Sequence, residues 1–202
     1  MSLHRPTYVH AFILGVFCFG FGILIASLDL VTREDIKLRQ FEDMQASLAK
    51  VIPLAIHDNI PAEDKVVLKG DDGKDLTVYR ATKGGKVTGV AFPIQGSGYA
   101  GPIRLMMGVD PEGRILGVRV AMFKETPGLG DKIDEKKSDW ILRFTGLSLG
   151  NPPVDKWKVK KDGGQFDQFS GATITPRAVV GAIRNGLEFF AANKAQMLEA
   201  RK

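Results

Sequence analysis

The sequence of 202 residues contains only one cysteine and three histidines, and this scarcity excludes several kinds of site. Cys18 lies within an apolar N-terminal stretch, so the rest of the chain has no disulfide, thiol nucleophile or cysteine metal ligand. His4, His10 and His57 are too widely scattered to form a ligand pair on one helix or hairpin. We therefore expect no metal site built by the protein alone.

The sequence also lacks the patterns of nucleic-acid-binding proteins and of hydrolytic enzymes. The net charge is +5, but lysines such as Lys136, Lys137 and Lys160 have acidic residues nearby. No basic helix with interleaved aromatic residues occurs, so we expect no nucleic-acid partner. No histidine–carboxylate or serine–histidine arrangement indicates substrate turnover by the polypeptide, and its status as an enzyme stays open.

Charge is absent from Ala11–Leu28, an apolar run near the N-terminus. With Tyr8 and Val9, this run reaches the roughly 20 residues that a membrane-spanning helix needs. A cleaved signal peptide would have a shorter apolar core, and a lipoprotein signal would need a small residue in place of Phe17 before Cys18. We therefore predict an uncleaved, single-pass membrane anchor.

After the anchor, a helical pattern gives way to short β-prone runs. Thr32 and Asp35 resemble a capping box, and the apolar stripe after them predicts a helix that ends before Pro53. The further predicted elements are strands at 66–68, 76–80, 87–94, 103–109, 115–122 and 157–159, with helices at 134–144 and from Pro176 to about Leu198. The predicted fold class is α+β, with a single N-terminal transmembrane helix followed by one antiparallel α/β domain.

A segment near the C-terminus predicts the start of the last helix. Thr175 is the expected N-cap, and Pro176 at the first helical position loses nothing through its missing N–H. The small and hydroxyl residues that precede or form this start are Ser170, Gly171, Ala172, Thr173 and Thr175. Unpaired N–H groups at a helix start favour an anion such as phosphate. From these residues alone, the segment is either an ordinary capped helix or an anion site.

Two motifs together resemble a known family of flavoproteins. The segment Ser170–Thr175 is similar to the S/D-G-A-[ST]-x-T signature of bacterial proteins that carry FMN through a phosphoester bond. About fifty residues upstream, Glu125–Ile133 is similar to the E-T-P-G-L-G-x-x-I run of the same proteins. With its anchor, the chain resembles the G subunit of Rnf-type electron-transport complexes over nearly its whole length. The C subunit of sodium-translocating NADH:quinone reductases shares both motifs but is usually longer.

The resemblance implies a covalent FMN on the Thr175 hydroxyl, which would have to be accessible for attachment. Ser170 and Thr173 would lie beside the phosphate or the ribityl chain, with Gly171 and Ala172 leaving room for them. Arg177 is expected either to assist the phosphate or to point to solvent. A separate flavin transferase would attach the FMN, so the chain would be a substrate of that enzyme.

The resemblance also assigns the upstream motif to the flavin. Glu125 or Thr126 would hydrogen-bond the ribityl hydroxyls or the ring edge. Gly128 would let the backbone approach the isoalloxazine ring closely, and Leu129 would lie on one ring face. Tyr99, in a glycine-rich run before a predicted strand, would flank the ring. The implied domains are a tail and anchor at 1–30, a helical connector at 31–62 and a covalent FMN-binding domain at 63–202.

The function implied by the resemblance is electron transfer within a membrane-bound, ion-translocating oxidoreductase complex linked to ferredoxin and NAD. The other membrane subunits of that complex would be its partners. The family places the flavin domain on the periplasmic side of the bacterial inner membrane, although the Lys and Arg residues flanking the span do not favour this orientation. The alternatives are a subunit of a sodium-translocating NADH:quinone reductase and a membrane-tethered binding or regulatory module without a redox role.

Overall fold

The computed structural model describes residues 7–70 and 73–199 of the chain. A long helix is followed by five strands and a second helix. These elements are α1 (Thr7–Ala49), β1 (Lys65–Lys69), β2 (Asp75–Lys83), β3 (Lys86–Ser97), β4 (Pro102–Val109), β5 (Ile115–Met122) and α2 (Ile174–Leu198). The chain divides into two compact units, Met1–Asp43 and Met44–Lys202.

The first unit contains most of α1, a helix whose exposed side chains are largely apolar. The helical segment Tyr8–Ala49 includes a stretch of mean hydropathy 2.5, none of which is buried inside the protein. Such a surface is stable in the hydrocarbon core of a membrane, and the apolar run is long enough to span that core. The predicted single-pass membrane helix is confirmed.

The predicted helix start at Thr32 is wrong, because α1 continues through this position without a break. The Thr32 hydroxyl donates to the Leu28 carbonyl at 2.8 Å, one turn earlier in the same helix, instead of capping a new helix. A side chain bonded in this way leaves the backbone ladder intact. The apolar stripe after Thr32 therefore belongs to a continuation of the membrane helix and not to a separate helix.

The second unit is built on one antiparallel sheet with the strand order β1-β2-β3-β4-β5. Each strand pairs antiparallel with the next along the chain, in agreement with the predicted antiparallel domain. Side chains alternate between the two faces, so Leu105 and Met107 join the main core while Met106 faces the opposite side. The five predicted strands of this sheet and the α+β fold class are confirmed.

The two faces of the sheet are covered by different parts of the chain. On the smaller face, the segment after α1 packs so closely that a Cβ on Gly108 would lie 2.3 Å from the Val51 carbonyl oxygen. On the main face, α2 packs along β3, where a Cβ on Gly96 would lie 2.6 Å from the Ala178 carbonyl oxygen. The second contact brings the beginning of α2 to the end of β3 that leads into the β3–β4 turn.

Between β5 and α2, aromatic packing replaces two predicted elements. The helix predicted at 134–144 is only a 3-10 helix at Trp140–Phe144, and no strand forms at 157–159. Val159 makes only an isolated bridge with Phe166. The Trp140 ring makes edge contacts with the Phe144 and Phe169 rings, and its indole N–H donates to the Asp167 carbonyl at 2.9 Å. Burial of these rings stabilises an irregular backbone between β5 and α2, which the local sequence does not predict.

Candidate functional site

The beginning of α2 meets the segment after β5 at a buried hydrogen bond. The Thr175 hydroxyl donates to Oε2 of Glu125 at 2.5 Å, and the two residues are only 1% and 5% exposed. The other carboxylate oxygen, Oε1, accepts the N–H of Ala100 at 3.2 Å. The hydrogen bond therefore joins the two sequence motifs directly and ties them to the β3–β4 turn.

Two glycines provide the space that this pair occupies. A Cβ on Gly98 would lie 2.4 Å from Oε1 of Glu125, and one on Gly130 would lie 2.9 Å from both Oε2 and the Thr175 oxygen. Real Cβ atoms essentially never show separations below 3.0 Å, so a side chain at either position would force the Glu125–Thr175 pair or the nearby backbone to shift.

The prediction that Thr175 caps α2 is wrong. The helix begins at Ile174, Thr173 occupies the N-cap position, and no side chain caps the helix. Thr175 is the second helical residue, and its hydroxyl is bonded to a carboxylate instead of to the backbone. The N–H groups of Ile174 and Thr175 have no acceptor within the helix, and Pro176 contributes none. The helix start therefore retains donors and a positive dipole end that favour an anion.

The expected accessibility of the Thr175 hydroxyl is also not what the structure shows. Thr175 is only 1% exposed, and its oxygen lies near Gly130, where a Cβ would stand 2.9 Å from it. Attachment of a group to this buried oxygen therefore requires the atoms around it to rearrange. Gly130 belongs to the Glu125–Ile133 motif, so residues of one motif lie beside the hydroxyl of the other.

The turn beside the Thr175 hydroxyl is held in shape by its own backbone hydrogen bonds and by a buried aspartate. Gly128 has a φ of +79°, a conformation that favours glycine, and its N–H donates to the Asp131 carboxylate at 2.8 Å. The N–H groups of Leu129 and Gly130 both donate to the Thr126 carbonyl at 3.2 Å. Asp131 is buried, and its carboxylate thus fixes the shape of this turn.

Exposed apolar side chains border the buried pair. Tyr99 precedes the N–H donor Ala100 and is 74% exposed, while Ile174 precedes Thr175 and is 44% exposed. Leu129 is also 44% exposed, and one of its methyl groups lies 3.7 Å from where a Cβ on Gly171 would stand. Exposed apolar surface beside anion-favouring N–H groups suits a ligand that has both a flat ring system and a phosphate. The residues present therefore fit FMN.

The remaining hydroxyls of the two motifs are placed differently. Ser170 and Thr126 are exposed and Thr173 is half-buried. Across residues 7–70 and 73–199, the hydroxyl groups of these three residues make no hydrogen bond. Their contact with a flavin phosphate or ribityl chain stays a prediction.

Arg177 is held by a carboxylate on the surface. Its guanidinium donates to both oxygens of Asp162, at 2.6 Å and 2.9 Å. These hydrogen bonds lower the pKa of Asp162 and raise the pKa of Arg177, so both groups stay charged at neutral pH. The guanidinium therefore pairs within the protein instead of being free for a phosphate.

Four residues at the site were not among the cofactor-binding residues predicted from the sequence. Gly98 and Gly130 lie in glycine-containing runs, but their close approach to a carboxylate depends on the tertiary fold. Ile174 contributes exposed apolar surface beside the helix start. Asp131 lies within the Glu125–Ile133 motif, but its hydrogen bond to the N–H of Gly128, three residues earlier, depends on the folded shape of the turn.

Comparisons with known proteins found related sequences and a similar fold. The FMN-binding domain family matches residues 98–188, a range that includes both members of the buried pair. The C subunit of the Na⁺-translocating NADH-quinone reductase of Parabacteroides distasonis has a similar fold, with a TM-score of 0.56 at 20% identity. The match covers 84% of this chain and 98% of that chain.

Relatives found by sequence share a higher identity with this chain than that structure does. The G subunit of the ion-translocating oxidoreductase complex of Cereibacter sphaeroides is 50% identical over 190 residues, which cover 94% of this chain and 87% of the relative. The corresponding protein of Stutzerimonas stutzeri is 46% identical over 185 residues, covering 92% and 81%. The chain therefore belongs to the family of G subunits of ion-translocating oxidoreductase complexes, as its two motifs and anchor indicated.

Proposed function

We propose that this protein is the FMN-carrying electron-transfer subunit of a membrane-bound, Rnf-type ion-translocating oxidoreductase complex linked to ferredoxin and NAD. The observation that carries the proposal is the buried Glu125–Thr175 hydrogen bond, which unites two motifs within a matched FMN-binding domain. The names of the relatives and the exposed membrane helix support a place among other membrane subunits.

The proposed attachment is a phosphoester between FMN and the Thr175 oxygen, made by a flavin transferase. The N–H groups of the first turn of α2 would hold the phosphate, and the exposed apolar side chains would contact the ring. The residues proposed to hold the cofactor are Ser170, Gly171, Ala172, Thr173, Thr175, Glu125, Thr126, Gly128, Leu129 and Tyr99. Bound FMN supplies the redox chemistry, and the chain attaches and orients it.

The proposal extends to the organisation of the chain at the membrane. Residues 1–30 would form the tail and anchor, 31–62 the connector and 63–202 the FMN-binding domain. The domain would lie on the periplasmic side of the bacterial inner membrane. This placement rests on the family, since the charges flanking the span do not favour it.

Replacing the attachment residue tests the proposed function. In cells that also produce the flavin transferase, we expect Thr175→Ala to abolish the flavin-fluorescent band on a denaturing gel. Beyond the difference between threonine and alanine, the intact mass should fall by the mass of FMN less one water. The substitution leaves the buried Oε2 of Glu125 without its donor, which costs about 1–3 kcal/mol of stability, so circular dichroism must show that the variant folds.

Thr145→Ala is the matched control, because Thr145 is an exposed threonine at the end of a 3-10 helix, outside both motifs. We expect it to keep the fluorescent band and the full mass increment of FMN. A fluorescent Thr175→Ala variant would place the attachment elsewhere. A wild-type protein without the FMN mass would favour a membrane-tethered module without a redox role.

The nature of the complex needs a separate measurement. The relatives that are 46–50% identical are named as G subunits of ion-translocating oxidoreductases, which favours this assignment over a role in a quinone reductase. We expect the protein purified from its native membrane to bring with it the other subunits of an Rnf-type complex. Co-purification with NADH:quinone reductase subunits would support the alternative.

A further inference from the structure

The proposed attachment raises the question of why one hydroxyl is modified among several. Thr126, Ser170, Thr173 and Thr175 all belong to the two motifs. Among these four, Thr175 alone donates to a carboxylate in the described structure. A threonine hydroxyl is a weak nucleophile, and attack by its oxygen requires a group that takes its proton.

Glu125 has the geometry for that task. Its Oε2 atom lies 2.5 Å from the Thr175 oxygen, within the reach expected of a general base. Its Oε1 atom accepts the N–H of Ala100, which belongs to the β3–β4 turn. This hydrogen bond anchors the carboxylate beside the Thr175 oxygen.

We propose that Glu125 is the catalytic base for flavin attachment, so that this chain supplies part of the machinery for its own modification. The inference rests on the proposed phosphoester at Thr175. It goes beyond holding the flavin, because it gives Glu125 a role before the cofactor is bound. It also explains why two motifs fifty residues apart meet at one hydrogen bond.

The reaction requires an activated flavin donor. The phosphate of free FMN has no good leaving group, so the donor must be FMN joined to a nucleotide through a phosphoanhydride bond. The Thr175 oxygen forms the new bond to phosphorus, and the anhydride P–O bond breaks. The electron pair leaves with the nucleoside monophosphate, and the hydroxyl proton passes to Oε2 of Glu125.

The product state supports the same assignment. The new phosphodiester carries a negative charge next to the place where a carboxylate was. Two anions that share a buried site repel each other strongly. Because Glu125 has taken the proton, it is neutral at this stage and its O–H can donate to a phosphate oxygen. Proton transfer thus removes the repulsion that attachment would otherwise create.

The test compares rates of flavin attachment in the full-length protein. Each variant is incubated in detergent with the transferase and its flavin dinucleotide donor, and incorporation is followed by intact mass. Glu125→Gln keeps an oxygen that can accept the Thr175 hydrogen bond but cannot take the proton. We expect kcat for attachment to fall by about 100-fold or more, with KM for the chain unchanged. Glu125→Asp, which retains a carboxylate, should lose less activity.

Glu112→Gln is the control, because it removes the same charge from the exposed β4–β5 turn and should change the rate by less than about twofold. All rates are normalised to the folded fraction measured by circular dichroism. As a second measurement, formate should partly restore attachment to Glu125→Ala by replacing the missing carboxylate. This rescue does not depend on whether the glutamine variant folds well.

The outcomes distinguish failure of the proposed role of Glu125 from failure of the proposed function. If Glu125→Gln reacts within about threefold of the wild-type rate, or if only its KM rises, Glu125 is not the base. Failure of formate to rescue a folded Glu125→Ala would lead to the same conclusion. A wild-type chain that acquires no flavin under these conditions would instead contradict the proposed function.

Discussion

At the scale of single residues, the site depends on two glycines as much as on the hydrogen-bonded pair Glu125 and Thr175. The carboxylate of Glu125 and the hydroxyl of Thr175 meet in a space bounded by Gly98 and Gly130. A buried polar pair stabilises the fold only if its partners keep their geometry. We therefore expect glycine substitutions here to affect both stability and flavin attachment.

Gly130→Ala tests this expectation. The new Cβ would lie 2.8 Å from Cβ of Glu125 and 2.9 Å from the Thr175 oxygen, so the turn or the pair must shift. We expect a loss of about 1–3 kcal/mol in the free energy of unfolding, together with slower flavin attachment. Denaturant unfolding followed by circular dichroism and intact mass would measure the two effects.

Gly150→Ala is the control for that substitution. A Cβ on Gly150 has no heavy atom within 4 Å, and this glycine does not have a positive φ. We expect its stability and its rate of attachment to match those of the wild type. If Gly130→Ala also behaved like the wild type, the close approach around the buried pair would not matter for either property.

At the scale of elements, the position of the site follows from how α2 packs on β3. Gly96 lets the helix backbone lie against the strand near Ala178, three residues after Thr175. Helix α2 buries an apolar stripe that includes Val179, Ile183 and Leu187. This stripe was visible in the sequence, whereas its packing on β3, one of the predicted strands, was not.

Gly96→Ala and Gly181→Ala should have opposite effects on stability. A Cβ on Gly96 would lie 2.6 Å from the Ala178 carbonyl oxygen, and backbone cannot move away cheaply, so we expect a loss of about 1–3 kcal/mol. Gly181 lies within α2 and its Cβ would meet nothing within 4 Å. There, alanine should stabilise the helix by about 0.5–1 kcal/mol.

Thermal unfolding of both variants in the same detergent would compare them directly. Because both are glycine-to-alanine changes, both reduce the entropy of the unfolded chain, so a loss of stability seen only in Gly96→Ala reports its close contact with α2. A Gly96→Ala variant as stable as Gly181→Ala would show that α2 can shift on the sheet without cost.

At the scale of the whole molecule, the apolar helix places this protein in a membrane, while the side occupied by the second unit is a proposal. Cys18 is the only cysteine and lies in the apolar helix, so a single new cysteine can report topology. Lys86 is exposed at the β2–β3 hairpin and suits this purpose.

We expect Lys86→Cys, in a Cys18→Ser background, to react with a membrane-impermeant maleimide in intact spheroplasts. A periplasmic domain presents Lys86 to the reagent, whereas a cytoplasmic one is protected by the lipid bilayer. Mobility shift on a gel would measure labelling, and lysed spheroplasts would give the maximum signal. Labelling only after lysis would contradict the periplasmic placement.

Much of the architecture could be predicted from local sequence. The apolar run Ala11–Leu28 determined a membrane helix, since length and lack of charge suffice for that conclusion. Short β-prone runs bounded by turn residues located the five strands of the sheet, because both signals lie in neighbouring residues of the chain. The two motifs indicated the cofactor family and the residues Glu125 and Thr175.

The tertiary structure decided what those patterns left open. It made one helix of the segment around Thr32, and it replaced the strand predicted at 157–159 by irregular backbone around buried aromatic rings. It also moved Thr175 from an accessible cap to a buried partner of Glu125. Helices, hairpins and motifs follow from neighbours along the chain, whereas this contact forms only when distant elements pack together.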